Sequence, residues 1–416
     1  MFNFQLISQV FLRCSVVLCF TLLLIMITKT PVTAADISCP NFSRPFLFGI
    51  NPDGAIDNMF QSIRDAGGTT TKLTLNWDKV EMTRGVYNFA QLDAGLKEAE
   101  KQGLSVFILI VGTPDWAKEG SLPAYKALPK REFRDAYTNF IKAAAQRYPH
   151  IVRYEFWNEQ NGCGSSSGHC GHTSDSAAEY AYWLDATYNA LKQVNGSIQL
   201  SVGGLDRMDE SFVDKLHSSP GGRSYDVFSI HPYNWHGALD LGSVKRLHEL
   251  AQKPIWITEY GWNVGQGAET SITEAEGQRF FLESISRLES DEFFFVEAAF
   301  FHTLGDFSSD PAMGLIDAQG RKRPWYESFK QVATKWCPLP SPTPLFPRSS
   351  QQPTPIPTPE PTPIYQDGDT NQDGSVDIFD YNFTLTKYEE IGCTLDFVSP
   401  CDRFLVDIES IIRDFI

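Results

Sequence analysis

Short apolar runs recur along residues 46–301, and a longer amphipathic stretch separates each run from the next. The runs are apolar throughout rather than alternating, which is typical of parallel strands that are covered on both faces. The stretches between them, such as FAQLDAGLKEAEKQG and REFRDAYTNFIKAAAQRY, have apolar residues at helical spacing. We therefore predict strands over residues 46–50, 71–75, 105–111, 152–157, 198–204, 227–231, 254–259 and 298–301.

Eight alternating strand–helix units predict an α/β fold, and specifically a (β/α)8 TIM barrel. An open, doubly wound sheet is the alternative, but no Gly-rich phosphate loop follows the first predicted strand. Active sites in such barrels lie at the C-terminal ends of the strands. Several polar and aromatic residues stand at these ends and are expected to face one mouth: Trp77, Trp116, Glu159, His231 and Glu259.

The composition changes abruptly at Pro338. Residues 338–364, which include PTPIPTPEPTP, are rich in Pro and Thr and predict an extended, semi-rigid linker. The linker separates a predicted catalytic domain, residues 36–337, from a small predicted α-helical module, residues 365–416.

Residues 1–35 predict a signal peptide. Arg13 precedes an apolar stretch over residues 14–27, and small residues lead to an expected cut near Ala34 or Ala35. The apolar stretch is short for a membrane span, although an uncleaved anchor is the alternative. The protein is therefore expected to be secreted, either extracellular or at the cell surface.

Export predicts that the cysteines are oxidised. Of the eight cysteines, Cys14 and Cys19 lie in the signal peptide, which leaves six. Proximity and position suggest the pairs Cys39–Cys337, Cys163–Cys170 and Cys393–Cys401, and other connectivities remain open. The alternative for the middle pair is a zinc site, formed by Cys163, His169, Cys170 and His172.

The net charge of the 416-residue chain is −16. This acidic balance argues against a nucleic-acid partner, because nucleic-acid phosphates would be repelled. It places no restriction on neutral ligands such as sugars.

Two glutamates at strand ends suggest hydrolysis of a glycosidic bond. That reaction needs one protonated and one ionised carboxyl group, on opposite sides of the anomeric carbon. Glu159 follows the fourth predicted strand and Glu259 ends the seventh, so a barrel would place them across the mouth from one another. Glu155 lies inside the fourth strand and is expected to be a structural acid, paired with a cation in or under the barrel.

The sequence motifs around these acids resemble those of clan A glycoside hydrolases. YEFWNEQN, residues 154–161, resembles the acid/base motif that is usually written WNEPN, and IWITEYGWN, residues 255–263, resembles the nucleophile motif. LNWDKVEMTRGVYNF, TPDWA and FSIHPY resemble the second-, third- and sixth-strand motifs of family 39 and family 5-like members. The resemblance covers most of residues 46–332 and implies a retaining β-glycosidase, of the β-xylosidase or endo-β-glycanase type, that needs no cofactor for catalysis.

The resemblance also implies roles for individual residues. Glu159 matches the acid/base and Glu259 matches the nucleophile. Asn158 matches the residue that binds the sugar 2-hydroxyl. His231 and Tyr233 match the sixth-strand pair, in which the tyrosine donates a hydrogen bond to the nucleophile.

Two positions depart from the family pattern. Lys72 stands where the clan commonly has an arginine beside the nucleophile, and it supplies a cation without the bidentate fork. The last strand offers Phe301 and His302 where the family often has a tryptophan. The remaining predicted substrate-binding residues are aromatic: Trp77, Trp116 and Trp262.

The C-terminal module contains DGDTNQDGSVDIFDYN, which has the spacing of a calcium-binding loop. It resembles a dockerin, which implies structural Ca²⁺ and a cohesin-like or cell-surface partner. The loop before a possible second copy, FLVDIESIIRDF, lacks the calcium ligands, so a calcium-stabilised cap or cell-surface tether is the alternative to cohesin binding. A solvated acidic loop is the alternative to the calcium site itself. The predicted calcium ligands are Asp369, Asn371, Asp373, Ser375, Asp377 and Asp380.

A non-catalytic carbohydrate-binding or adhesion protein on the same barrel is the alternative function. An inverting enzyme or a transglycosidase is a second alternative. The presence of both acids favours a hydrolase, and neither the sugar nor the choice between exo and endo cleavage follows from the sequence.

Overall fold

The computed structural model describes residues 39–53, 57–118, 122–162, 176–265, 269–306 and 312–338. Within these ranges, eight parallel strands form a closed barrel in which each strand pairs with the next and the last pairs with the first. The predicted (β/α)8 barrel is confirmed, and closure excludes the open sheet. The strands are Leu47–Ile50 (β1), Thr70–Asn76 (β2), Ser105–Val111 (β3), Arg153–Phe156 (β4), Gln199–Asp206 (β5), Val227–His231 (β6), Ile255–Tyr260 (β7) and Val296–Phe301 (β8).

Helices follow the strands around the outside of the barrel. In the described ranges they are Met59–Asp65 (α1), Trp77–Val80 (α2), Ala90–Lys101 (α3), Arg134–Arg147 (α4), Ser176–Val194 (α5), Glu210–Ser218 (α6), Leu241–Ala251 (α7), Glu274–Leu288 (α8) and Pro324–Trp336 (α9). Short 3-10 turns lie at Ala124–Lys126, Arg131–Phe133 and Asp291–Phe293. None of the helices in these ranges is both long enough and apolar enough to cross a membrane.

Bulky apolar side chains fill the barrel interior near the starts of the strands. Because they come from five different strands, they close this end of the barrel and leave the polar interior positions nearer the C-terminal mouth. Gly49 makes room for the plug, since a Cβ there would lie 2.4 Å from the ring of Phe300. The plug consists of Leu47, Phe107, Val227, Trp256, Ala298 and Phe300.

A disulfide joins Cys39 to Cys337, two buried residues that lie on either side of the barrel in sequence. This confirms one predicted pair. The pairs Cys163–Cys170 and Cys393–Cys401, and the alternative zinc site, lie outside the described residues.

The chain divides into two compact units, Met1–Ser341 and Pro342–Ile416. All the described residues belong to the first unit. The predicted signal peptide, the linker beyond Pro338 and the calcium ligands from Asp369 to Asp380 lie outside the described residues and stay predictions.

Candidate active site

Glu159 stands in an unusual turn directly after β4. The backbone φ is 70° at Trp157 and 48° at Glu159, and both values are in the left-handed region that residues other than glycine rarely occupy. The turn is held to β5, because the Glu159 N–H donates to the carbonyl of Gly204 at 2.9 Å. Such backbone strain costs about 1–3 kcal/mol per residue and is concentrated at functional sites.

Glu259 is held from across the barrel. Lys72 Nζ on β2 lies 3.0 Å from Oε1 of Glu259 on β7, and because β2 and β7 are not neighbours the ion pair crosses the interior. A register shift between β7 and β8 spans Thr258 and Glu259. Both of these consecutive side chains reach interior groups, which strict strand alternation would not allow.

The electrostatics keep Glu259 ionised. Burial alone would raise the pKa of Glu259, but the charge of His231 when its ring is protonated and the charge of Lys72 outweigh burial and hold that pKa well below its usual range. Burial has the opposite effect on a lysine and would lower the pKa of Lys72. The negative charge of Glu259 outweighs burial, so the pKa of Lys72 is raised overall and the ammonium stays charged.

His231 bridges the two acids. Its Nδ1 lies 3.0 Å from Oε1 of Glu159 and 3.7 Å from Oε2 of Glu259. Burial acts to lower the pKa of His231, but the neighbouring carboxylates Glu259 and Glu159 raise it overall. One carboxylate oxygen of each acid and one ring nitrogen of His231 all lie within 4.8 Å of one another.

Tyr233 donates its hydroxyl to Oε2 of Glu259 at 3.2 Å. Burial and the nearby negative charge of Glu259 raise the pKa of Tyr233 well above its usual value, so the phenol stays protonated as a donor. The ring of Tyr233 stacks on Trp235 with the centroids 4.8 Å apart. The predicted contact between Tyr233 and Glu259 is therefore present.

Asn158 precedes Glu159 and is half-buried. Its Oδ1 is buried and has no hydrogen-bond partner among the described residues. A buried carboxamide oxygen without a partner costs free energy, which a sugar hydroxyl could recover.

The predicted sugar contacts of Trp77 and Trp262 need correction. Both side chains are fully buried, so neither ring has a surface on which a sugar could stack. Trp77 donates its indole N–H to Glu81, and Trp262 donates to the carbonyl of Gly237. Trp116 is partly exposed, but it packs edge-on against Trp77 and donates to the backbone of Glu81 rather than reaching either acid.

Glu155 is a fully buried acid inside the barrel. Its Oε1 accepts hydrogen bonds from the Gly204 N–H at 3.0 Å and the Thr258 hydroxyl at 2.8 Å. Burial raises the pKa of Glu155, and the charges of Lys72 and His231 oppose that shift. The expectation of an interior acid was right, but among the described residues its direct partners are an amide and a hydroxyl, not a cation.

Three other residues near the site were not predicted from the sequence: Asn51, Asp53 and Thr258. Asn51, directly after β1, donates to the carbonyl of Thr258 at 3.1 Å and lies 3.4 Å from Nδ1 of His302. That nitrogen is also 3.8 Å from Oε2 of Glu259 and 3.7 Å from a carboxylate oxygen of Asp53. The strand-end rule would have found Asn51, whereas Thr258 lies within a strand and carries no such signal.

The cluster of Glu159, His231 and Glu259 has the donor atoms of a metal site. However, Lys72 places its ammonium on Glu259, and a cation at the same carboxylate would be repelled. The arrangement suits proton transfer and nucleophilic attack better than metal binding. It supplies an ionised carboxylate at Glu259, a second carboxyl group at Glu159 and a histidine, His231, that can form a hydrogen bond with Glu159.

Comparison with solved structures identifies proteins with the same fold. A family 39 glycoside hydrolase from the gut symbiont Bacteroides cellulosilyticus WH2 is 20% identical, with a TM-score of 0.56 over 72% of this chain and 64% of that one. A monomeric beta-xylosidase from Caulobacter crescentus CB15 is 18% identical, with a TM-score of 0.54 over 71% and 69%. An exo-beta-1,4-mannosidase from Opitutaceae bacterium strain TAV5 is 16% identical, with a TM-score of 0.52 over 70% and 60%.

These likenesses show the barrel fold, and this chain spans less than two thirds of the first and third of those proteins. No curated protein matches the chain. The family comparison is more specific, because residues 28–286 match the family described as Cellulase (glycosyl hydrolase family 5). The chain belongs to that family and is a clan A glycoside hydrolase.

Proposed function

We propose that the protein is a secreted, retaining glycoside hydrolase that cleaves β-glycosidic bonds, with Glu159 as acid/base and Glu259 as nucleophile. The observation that carries this proposal is the closeness of the two carboxylates, which have oxygens within 4.8 Å of each other. Retaining enzymes have carboxyl groups about 5–5.5 Å apart, whereas inverting enzymes need about 6.5–9.5 Å to admit a water molecule. The spacing therefore supports direct attack by one carboxylate.

In the first step, an ionised Glu259 oxygen attacks the anomeric carbon while Glu159 gives its proton to the departing glycosidic oxygen. The carbon–oxygen bond to the leaving group breaks as the bond to Glu259 forms. The low pKa of Glu259 supports this role, because the attacking group must be ionised before substrate arrives.

In the second step, Glu159 takes a proton from water, and the resulting hydroxide displaces Glu259 from the anomeric carbon. Two inversions give net retention, and both acids return to their starting states. Lys72 and Tyr233 each bond one Glu259 oxygen, so they stabilise the carboxylate as it leaves. Asn158 offers its carboxamide to the sugar 2-hydroxyl, a contact that strengthens in the transition state of such enzymes.

The proposed substrate is a β-linked polysaccharide or oligosaccharide, and the proposed activity is of the β-xylosidase or endo-β-glycanase type. Glycoside hydrolases of this clan act on glycans and need no cofactor for catalysis. Structural neighbours described as a beta-xylosidase and an exo-beta-1,4-mannosidase support a β-linked substrate. Because several sugars occur among them, a panel of aryl β-glycosides and β-glycans is the direct way to find the substrate.

The variant Glu259→Ala tests the nucleophile. We expect its turnover to fall by at least about 10⁴-fold, because the covalent step is lost. Azide should restore turnover and yield a glycosyl azide of inverted configuration, which NMR would identify. Glu283→Ala, at an exposed glutamate on α8, is the matched control and should keep wild-type activity.

The competing function is a non-catalytic carbohydrate-binding protein. It predicts that the wild type releases no product from any member of the glycan panel, while still binding one of them. Near-native activity in Glu259→Ala would also contradict the assignment of the nucleophile.

Glu159→Gln should reduce turnover of substrates with poor leaving groups by about 10²–10⁴-fold, since these substrates depend most on protonation by the acid.

For the C-terminal module we propose structural Ca²⁺ binding and attachment to a cohesin-like or cell-surface partner. The proposal is supported by the ligand spacing from Asp369 to Asp380. Calorimetric titration of Ca²⁺ into the full-length protein, with Asp369→Ala as the comparison, would test it.

A further inference from the structure

One buried titratable group near the site has no part in the two-step reaction. Glu155, on β4, bonds the Thr258 hydroxyl on β7, and because these strands are not neighbours the contact crosses the barrel interior. The hydroxyl of Thr258 is also 3.2 Å from Nε2 of His231, whose Nδ1 is 3.0 Å from Glu159. A continuous chain of hydrogen bonds therefore runs from Glu155 to the proposed acid/base.

The direction of these hydrogen bonds follows from the number of protons available. A threonine hydroxyl has one hydrogen, and here it is donated to the Glu155 carboxylate. Thr258 can then only accept from His231, so Nε2 of that ring must carry a hydrogen. In a neutral imidazole the other nitrogen, Nδ1, is then an acceptor.

We propose that Glu155 is a positioning residue that, acting through Thr258, holds the neutral ring of His231 as the Nε2–H tautomer. Nδ1 is then available to accept a hydrogen bond from the protonated carboxyl group of Glu159. This inference rests on the proposed function, because Glu159 must be the acid/base for the tautomer to matter to catalysis. In the Ser-His-Asp triad of other hydrolases, a buried carboxylate that bonds the histidine directly holds its tautomer in a comparable way.

The opposite tautomer would change the chemistry at Glu159. An Nδ1–H would donate to Glu159 and favour its carboxylate form, which cannot protonate a leaving group. With Nδ1 as acceptor, the protonated form of Glu159 gains the hydrogen bond instead. The charge state of the acid before substrate binds thus depends on a contact made on the far side of the imidazole ring.

Other titratable groups surround His231 and must be considered in any pH dependence. They come from β2, β4, β5, β7 and the segments that follow β4 and β6. His302, after β8, reaches Glu259 at 3.8 Å and so acts on His231 through that carboxylate. None of these groups bonds the Thr258 hydroxyl in the described residues except Glu155 and His231. The groups are Lys72, Glu155, Glu159, Asp206, Tyr233 and Glu259.

Matched variants at Thr258 and Glu155 test the proposal kinetically. Thr258→Val and Glu155→Leu break the chain, whereas Thr258→Ser and Glu155→Gln keep a hydroxyl and an acceptor oxygen. We expect the basic limb of the kcat/KM profile, which reports loss of the acid's proton, to move at least about half a pH unit lower in the two breaking variants. The two conservative variants should stay within about 0.2 pH unit of the wild type.

The accompanying change in kcat separates positioning from substrate binding. We expect kcat to fall at least about tenfold in Thr258→Val with little change in KM, because the defect is in proton transfer. A wild-type basic limb in Thr258→Val would overturn the proposal. If Glu155→Leu fails to fold, Thr258→Val and Thr258→Ser decide the question without it. Thermal unfolding of these two variants shows whether they are equally stable.

Nitrogen NMR reads the tautomer without substrate. In protein with ¹⁵N-labelled histidine, the His231 signals are assigned by their loss in His231→Gln. The wild type, at a pH where the ring is neutral, should show a protonated Nε2 and an unprotonated Nδ1, and Thr258→Val should lose that preference. A protonated Nδ1 in the neutral wild-type ring would overturn the inference. An inactive enzyme, or activity that persists in Glu159→Gln, would instead count against the proposed function and leave the tautomer result intact.

Discussion

The two acids of the site differ in the groups that surround them. Glu259 bonds a lysine and a tyrosine, one at each carboxylate oxygen. Glu159 has His231 at one oxygen, and its own backbone occupies a strained conformation. Environments that differ in this way allow two identical residues to take opposite protonation states at one pH.

The ion pair of Lys72 makes a prediction about pH. Glu259 must be ionised to attack, so activity is lost as the pH falls through its pKa, which the cation depresses. Lys72→Met removes that cation, so the pKa of Glu259 rises. We expect the acidic limb of kcat/KM to move up by about one pH unit or more, measured on an aryl glycoside.

Lys72→Arg restores a positive charge and should return the acidic limb close to its wild-type position, even if geometry reduces the rate. Lys101→Met, at an exposed lysine on α3, controls for the loss of one positive charge in the protein. An unchanged acidic limb in Lys72→Met would show that this cation does not set the ionisation of Glu259.

At this scale the sequence was informative about charge and uninformative about packing. The strand-end rule and the motifs led to Lys72, His231 and Tyr233, which the structure brings to the two acids. They misjudged Trp77 and Trp262, because a tryptophan at a strand end can turn into the helix layer as readily as toward the mouth. The role of Thr258 could not be predicted from the sequence, since its hydrogen bond to Glu155 crosses the barrel between strands that are far apart in sequence.

Among the elements, the strands were the most predictable. All eight predicted strands overlap the observed ones, with ends within two residues. Parallel strands that are buried on both faces have to be apolar throughout, so the pattern carries the prediction directly. Local irregularities were not predictable, such as the register shift in β7 and the left-handed turn after β4, because they depend on partners from other strands.

The packing of α8 against α9 makes a prediction at this scale. Gly277 lies inside α8, where alanine would normally stabilise a helix by about 1 kcal/mol. A Cβ at Gly277, however, would lie 1.9 Å from the Trp325 ring, which is buried beside it. We expect Gly277→Ala to lower the free energy of unfolding by about 1–3 kcal/mol, measured by urea titration, because the ring or the helix must move.

Gly242→Ala in α7 is the matched control. Its nearest neighbour would be a carboxylate oxygen of Asp240 at 3.4 Å, an ordinary contact. This variant should be as stable as the wild type or slightly more stable. Equal stability of both variants would mean that the α8–α9 contact is loose enough to absorb a methyl group.

For the whole molecule, the disulfide between Cys39 and Cys337 closes a loop with a sequence separation of 298. Closing so long a loop restricts the unfolded chain, and disulfides typically contribute about 2–4 kcal/mol. We expect the double variant Cys39→Ala/Cys337→Ala to unfold at a temperature several degrees lower, measured by calorimetry.

Removing Cys393 and Cys401 together provides the control, because these cysteines lie in the second compact unit. Their loss should leave the melting transition of the barrel in place. An unchanged melting temperature in the Cys39/Cys337 variant would mean that the hydrogen bonds between β1 and β8 are enough to hold the first and last strands together without the disulfide.

The same disulfide has a mechanical consequence. A force that pulls on the segments outside Cys39 and Cys337 has a covalent path between them through the two sulfur atoms. Tension along that path bypasses the backbone of all eight strands and the strained turn at Glu159. The residues between the two cysteines therefore carry none of the pulling force while the disulfide is intact. Stretching the protein by its ends should leave the distance between the two acids unchanged.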